Sequence, residues 1–260
     1  MQYAPWMPDT RSHRGAHPQD AADFAPHSQR VLAQACSELS WLLTRDYSEA
    51  AALKLVGDHH QLTARQRLAV LRGACRDQAL VTRQASRVTP EGLAGVELGI
   101  DGFNCLITLE SMLSGAPVFV GRDGVHRDLA SVHGTYRRVQ ETLPSLEALR
   151  DTLVQLRVGC VIFYLDRPVS NSGRLRVLIE QSFTSSAVPT SVALHDSVDP
   201  VIVRERSIVG SSDSWVIDHA ARWVDLPALV AQTLRLTFNR IALTETESAS
   251  ERGHPHGDGT

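Results

Sequence analysis

From about residue 95 the chain alternates short apolar runs with helical stretches, and the runs end in aspartate: VELGID (96–101), VIFYLD (161–166), SVALHD (191–196) and IVGSSD (208–213). A parallel strand pair needs a crossover, usually a helix, so this alternation predicts an α/β fold with a mostly parallel sheet flanked by helices. Helices are predicted at about 104–114, 137–157 and 172–183, then at 214–221 and 226–240. Residues 117–120 before the Asp123-Gly124 turn signal read as a minor strand or hairpin.

Open α/β sheets bind ligands beyond the C-terminal ends of their strands. Asp101, Asp166 and Asp213 are therefore expected around one crevice, with Asp199 completing the set. Clustered carboxylates raise one another's pKa and call for a cation; hard oxygen donors suit Mg²⁺ or Mn²⁺ better than zinc. Such a site can polarise a phosphodiester and activate water, which predicts metal-assisted phosphoryl chemistry. Aspartate is also an ordinary helix cap, and this chain has 17 of them; Asp196 is read as a cap or turn. Asp218 could reach the cleft or lie on a helix surface, and Glu110 could point to the crevice or to water.

Before the α/β region, residues 30–45 carry apolar residues at helical spacing, and Ser48 can cap a second helix running through Val56. Thr63 with Gln66 reads as a capping box for a third helix over 64–79, so residues 29–92 form a helical, helix-turn-helix-like segment. Arg65, Arg67, Arg72, Arg76, Arg83 and Arg87 against Asp77 give residues 62–87 a local surplus of five positive charges. That stretch is either a grip on phosphates or a solvated face paired with acids elsewhere. Arg167, Ser170, Ser172 and Arg174 around a strand-to-helix turn make a second candidate phosphate site, with helix capping as its plain alternative. Asp123, Asp128, Arg122, Arg127, Arg137 and Arg138 around His126 and His133 read as a substrate-gripping loop or a salt-bridged hairpin. Residues 1–28 and 244–260 lack an apolar period and are expected as disordered tails, His254 and His256 included; 93–243 form the α/β domain.

A formal charge of −3 excludes an overall basic field, so nucleic-acid binding must rest on a local patch. No apolar run approaches a membrane span, no charged-then-apolar signal opens the chain, and the four cysteines lack CxxC spacing; a reducing cytoplasm is expected. A P-loop, a dinucleotide fingerprint and a GxSxG elbow are all missing.

Ile100-Asp101-Gly102-Phe103-Asn104 resembles the first-strand DGYN signature of the NYN branch of PIN-like nucleases, and Ser211-Ser212-Asp213 resembles that group's later T/S-S-D motif. The resemblance implies a PIN-like core with Asp101 and Asp213 at a metal site, Asn104 organising it, Asp166 at a strand end that often carries an acid, and Asp199 on an acidic helix. At whole-domain scale, segments 37–67, 100–115, 121–139 and 164–175 resemble a bacterial and archaeal family known as domain of unknown function 434, with a companion domain numbered 5616. Together these readings imply a Mg²⁺- or Mn²⁺-dependent nuclease acting on RNA. The alternatives are a non-catalytic nucleic-acid or nucleotide-binding module on the same scaffold, and a structural domain whose aspartates only cap helices.

Overall fold

Two helix starts in the N-terminal part follow from local side-chain caps. The computed structural model describes residues 13–130 and 134–244. It places α1 (Asp20–Asp23), α2 (Pro26–Thr44), α3 (Glu49–His59), α4 (Ala64–Gly73) and α5 (Asp77–Ser86) ahead of the sheet. The Ser48 hydroxyl accepts from the Ala51 N–H at the start of α3, and Thr63 and Gln66 close a capping box on α4. The third helix predicted over 64–79 breaks at Gly73, because Ala74 turns extended and α5 restarts at Asp77. Gly73 is where Leu243, from the far end of the chain, packs against the helix. Leu32, Leu39, Leu43 and Val70 share one buried cluster with Phe119, Ile241 and Leu243, so this layer and the α/β part bury one continuous surface.

Residues 13–28, expected as part of a tail, lie against the fold. Arg14 reaches the buried Glu110 at 2.6 Å, and Arg65 bonds the Gly15 carbonyl at 2.8 Å and pairs with Asp20. Ion pairs hold its first residues, which a hydropathy pattern does not register, and Phe24 anchors its end by packing edge-on against Phe119 at 4.8 Å. Residues 1–12, 131–133 and 245–260, including His133, His254 and His256, lie outside the described residues.

The α/β part runs β1 (Glu97–Asp101), α6 (Gly102–Ser114), β2 (Val118–Val120), β3 (His126–Arg127), α7 (Thr142–Gln155), β4 (Cys160–Asp166), α8 (Ser172–Phe183) and β5 (Thr190–His195). It continues through α9 (Asp199–Glu205), β6 (Val209–Gly210), α10 (Ser214–His219), β7 (Trp223–Val224), α11 (Leu226–Thr233) and β8 (Arg240–Ala242). Five strands form an all-parallel sheet in the order β5-β4-β1-β6-β7. A small second sheet, β3-β2-β8, contains the predicted hairpin; the helix predicted over 226–240 stops at Thr233, and a loop leads to β8 at Arg240. Strand alternation sorts the core: Phe163 packs with Leu106, Leu149 and Ile179 on one face, while Tyr164 packs with Ile202, Val216 and Trp223 on the other. All four cysteines are free, and among the described residues no helix is long and apolar enough to cross a membrane.

The chain leaves β1 for β4 and β5 on one side, then returns to β6 and β7 on the other, which puts a topological switch point at β1. Gly102 makes the turn out of β1 possible. A Cβ there would lie 2.5 Å from Leu165 Cδ2 and 3.1 Å from the Tyr164 carbonyl. Gly102→Ala is expected to cost about 1–3 kcal/mol in urea unfolding; an unchanged midpoint would mean that β4 yields freely.

Candidate functional site

Three strand ends meet at the switch point, where crossovers on opposite sides leave a crevice. Asp101 ends β1, Asp166 ends β4, and Ser211-Ser212-Asp213 follow β6 directly. Asp199 enters from the first turn of α9. All four carboxylates line one cleft of about 370 Å³ together with Asn104, Arg72, Arg127 and Asp128. The cap and cleft readings of these aspartates hold together. Asp101 accepts from the Asn104 N–H at the start of α6, and Asp213 accepts from the Trp215 and Val216 N–H groups at the start of α10. Asp166 accepts from the Val198 N–H at 3.2 Å, which ties β4 to the approach of α9.

Hydrogen bonds fix the cleft walls. The Ser211 hydroxyl donates to Asp101 Oδ2 at 2.9 Å and accepts from the Asp213 N–H at 3.0 Å. Asn104 Oδ1 accepts from both the N–H and the hydroxyl of Ser212, each at 2.7 Å, so its NH₂ end is the one left to donate. Arg127 does not face solvent as a free cation: its Nε donates to the Ser212 carbonyl at 2.9 Å, and its other nitrogens grip Asp123.

The electrostatics carry the signature of crowded acids. Burial pushes the Asp101 carboxyl up to about 7; the Ser211 bond opposes this, and the charges of Asp199 and Asp213 reinforce it. Burial raises Asp199 as well, with Asp213 and Asp166 adding to it, and burial raises Asp166. This coupling is what a bound cation would relieve. Among the described residues, no three His, Cys, Asp or Glu side chains converge into a ready-made metal cage. The donor set still fits a hard divalent cation held by one or two carboxylates and completed by water and phosphate oxygens, the usual mode for Mg²⁺.

Other sequence candidates sit elsewhere. Arg167 pairs with Asp196 at 3.1 Å and bonds the Leu194 carbonyl, Arg174 bonds Asn171, and the Ser172 hydroxyl donates to the Arg167 carbonyl. None of these, nor Ser170, is among the residues lining the cleft. In the arginine stretch, Arg65, Arg67, Arg76 and Arg83 are paired with Asp20, Asp58, Asp46 and Asp123, and Arg72 alone reaches the cleft. Glu110 is fully buried away from it, held by Arg14, Tyr136 and Thr142, and Asp218 pairs with Arg83. Asp128, which the sequence placed in a loop read as substrate-gripping or as a salt-bridged hairpin, lines the cleft. It is buried, accepts from Thr108 at 2.8 Å and from the Ala130 N–H at 2.7 Å, and stands beside Arg72; the GRDGVHRD run was its available signal.

Residues 90–229 match the family described as Domain of unknown function (DUF5616), and residues 31–85 match Protein of unknown function (DUF434). An uncharacterized protein of Methanocaldococcus jannaschii is 27% identical over 206 residues, covering 78% of this chain and 98% of that protein. No solved structure matches.

Proposed function

Since the chain belongs to the DUF5616 family, whose description carries no activity, we propose one from its own cleft: a Mg²⁺- or Mn²⁺-dependent phosphodiesterase of PIN-like type, acting on nucleic acid with RNA as the favoured substrate. The observation that carries this reading is the set of four aspartates lining one cleft at the switch point, with burial and mutual charge raising Asp101 and Asp199. The DGFN and SSD motifs, similar to those of NYN nucleases, fall on two of the strand ends that build the cleft and support the PIN-like assignment and the choice of RNA.

Asp101, Asp199 and Asp213, with Asp166, would hold the cation, which supplies Lewis acidity toward a phosphodiester oxygen and toward water. Asn104, its oxygen taken by Ser212, offers its NH₂ to a non-bridging phosphate oxygen. Arg72 adds positive charge at the cleft wall, and Asp128 holds Arg72 there.

End-labelled single-stranded RNA, structured RNA and single-stranded DNA, each incubated with Mn²⁺ or Mg²⁺, test the reading. Wild type is expected to cleave only with metal, and Asp213→Asn to lose at least about 100-fold in rate while retaining its circular dichroism spectrum. Equal cleavage by both proteins would point to a contaminant and end the assignment. Salt-sensitive RNA binding with no cleavage would leave the non-catalytic binding module.

A further inference from the structure

A second depression adjoins the acidic cleft. The two share Ala130, and Arg72 sits at their junction, donating to the backbone carbonyls of Asp128 and Ala130. The depression, of about 280 Å³, is lined by His13, Arg14, His17, Arg65 and Arg137, with no carboxylate among the described residues of its wall. The acids that pair with these cations lie behind them. Glu110 is fully buried under Arg14, while the Asp20 and Glu141 side chains keep only 12% and 8% of their exposure behind Arg65 and His13. Arg14, Arg65 and Arg137 are therefore the charged side chains that the described wall presents. Arg137 is exposed and makes no ion pair among the described residues, and its own carbonyl is fixed by Arg14 Nη2 at 2.6 Å.

We propose that this basic groove binds the phosphate backbone of a single nucleic-acid strand whose adjoining phosphodiester lies in the acidic cleft. The inference rests on the phosphodiesterase reading and names how its substrate is held. A cleft of carboxylates repels a polyanion, so a strand that reaches it needs cations immediately alongside. The order along the surface is acids, then Arg72, then the groove, which supplies those cations on one side and gives the strand a direction. The depression is sized for a nucleotide rather than a duplex. Arg14 and Arg65 are spent partly on holding the strap of residues 13–17, which leaves Arg137 as the cation free to bind.

The test is fluorescence anisotropy of a labelled oligouridylate of about 20 nucleotides, titrated in EDTA across a salt series. Arg137→Glu is expected to weaken binding about tenfold and to flatten the slope of log affinity against log salt by about one. Arg176→Glu, an exposed arginine on α8 paired with Glu180, is the control and should match wild type. Thermal melts check that all three proteins fold alike. An Arg137→Glu affinity within about twofold of wild type, in a protein that cleaves RNA, overturns the groove and leaves the cleft reading standing. Binding that depends on Arg137 without metal-dependent cleavage supports the groove and overturns the nuclease.

Discussion

Asp101→Asn is expected to abolish metal-dependent cleavage and to make the metal-free protein more stable at neutral pH. Asp101 is 7% exposed, and its carboxyl is pushed up to about 7 by burial and by Asp199 and Asp213. A carboxyl whose folded pKa lies above its unfolded value binds its proton more tightly when folded. Stability is then full below the unfolded pKa and falls as pH rises from about 4 to about 7, levelling off above. Moving a pKa over that interval corresponds to about 4 kcal/mol. In EDTA, wild type should therefore melt at lower temperature at pH 8 than at pH 5, and Asp101→Asn should show a much flatter profile. The amide keeps the shape and can still accept from the Asn104 N–H and bond Ser211, so packing is preserved. Adding Mn²⁺ at pH 8 should raise the wild-type melting temperature, because binding to the folded state alone stabilises it, and should do so far less for the variant. A variant less stable than wild type at pH 8, with an identical response to Mn²⁺, would mean that Asp101 is a helix cap and nothing more.

The elements that were legible in the sequence are those whose signals are local. Ser172–Phe183 follows from its apolar spacing, without a side-chain cap at Asn171, and the start of the Ala64–Gly73 helix follows from the Thr63–Gln66 capping box. Strand-end aspartates were legible because the C-terminal edge of a parallel sheet is common ground for any such fold, so position along each run sufficed to gather Asp101, Asp166 and Asp213. Partnerships made across long sequence separations were not legible. Nothing near Arg14 announces Glu110, 96 residues away, and nothing near Arg83 announces Asp218, 135 residues away. The arginine surplus over 62–87 is for this reason mostly structural, with acids supplied by distant segments. Two-residue strands such as β6 and β7 carry too few side chains to show a period, and β8 followed a stretch whose apolar residues fit a helix equally well.

Asp123→Asn is expected to destabilise the fold by about 3–5 kcal/mol, because it strips the carboxylate from two buried guanidiniums at once. Asp123 pairs with Arg83 Nη1 at 2.5 Å and with Arg127 Nη2 at 2.7 Å, and these three side chains are 1%, 4% and 7% exposed. Arg83 would keep Asp218 as a partner; among the described residues, Arg127 would keep only the Ser212 carbonyl and the Ser214 hydroxyl. Burial alone would raise the Asp123 carboxyl, but Arg127 and Arg83 outweigh it and hold the group below the usual carboxylate range. That stabilisation is present above the unfolded pKa and is lost as pH falls through the lower folded value, the opposite sense to Asp101. Asp218→Asn serves as the comparison: its carboxylate is 36% exposed, water can replace the bond, and about 1 kcal/mol or less is expected. The Asp123 network also reaches function through geometry. Arg127 anchors the Ser212 carbonyl, and Ser212 in turn orients Asn104, so loosening Arg127 releases the loop that carries Asp213. Urea unfolding should therefore show the large loss for Asp123→Asn and the small one for Asp218→Asn, with proteolytic cleavage near residues 211–214 accelerated only in the first. Equal, small losses for both would mean that Arg83 and Arg127 find water or other acceptors once Asp123 is neutral, and that the loop is held by β6 and α10 alone.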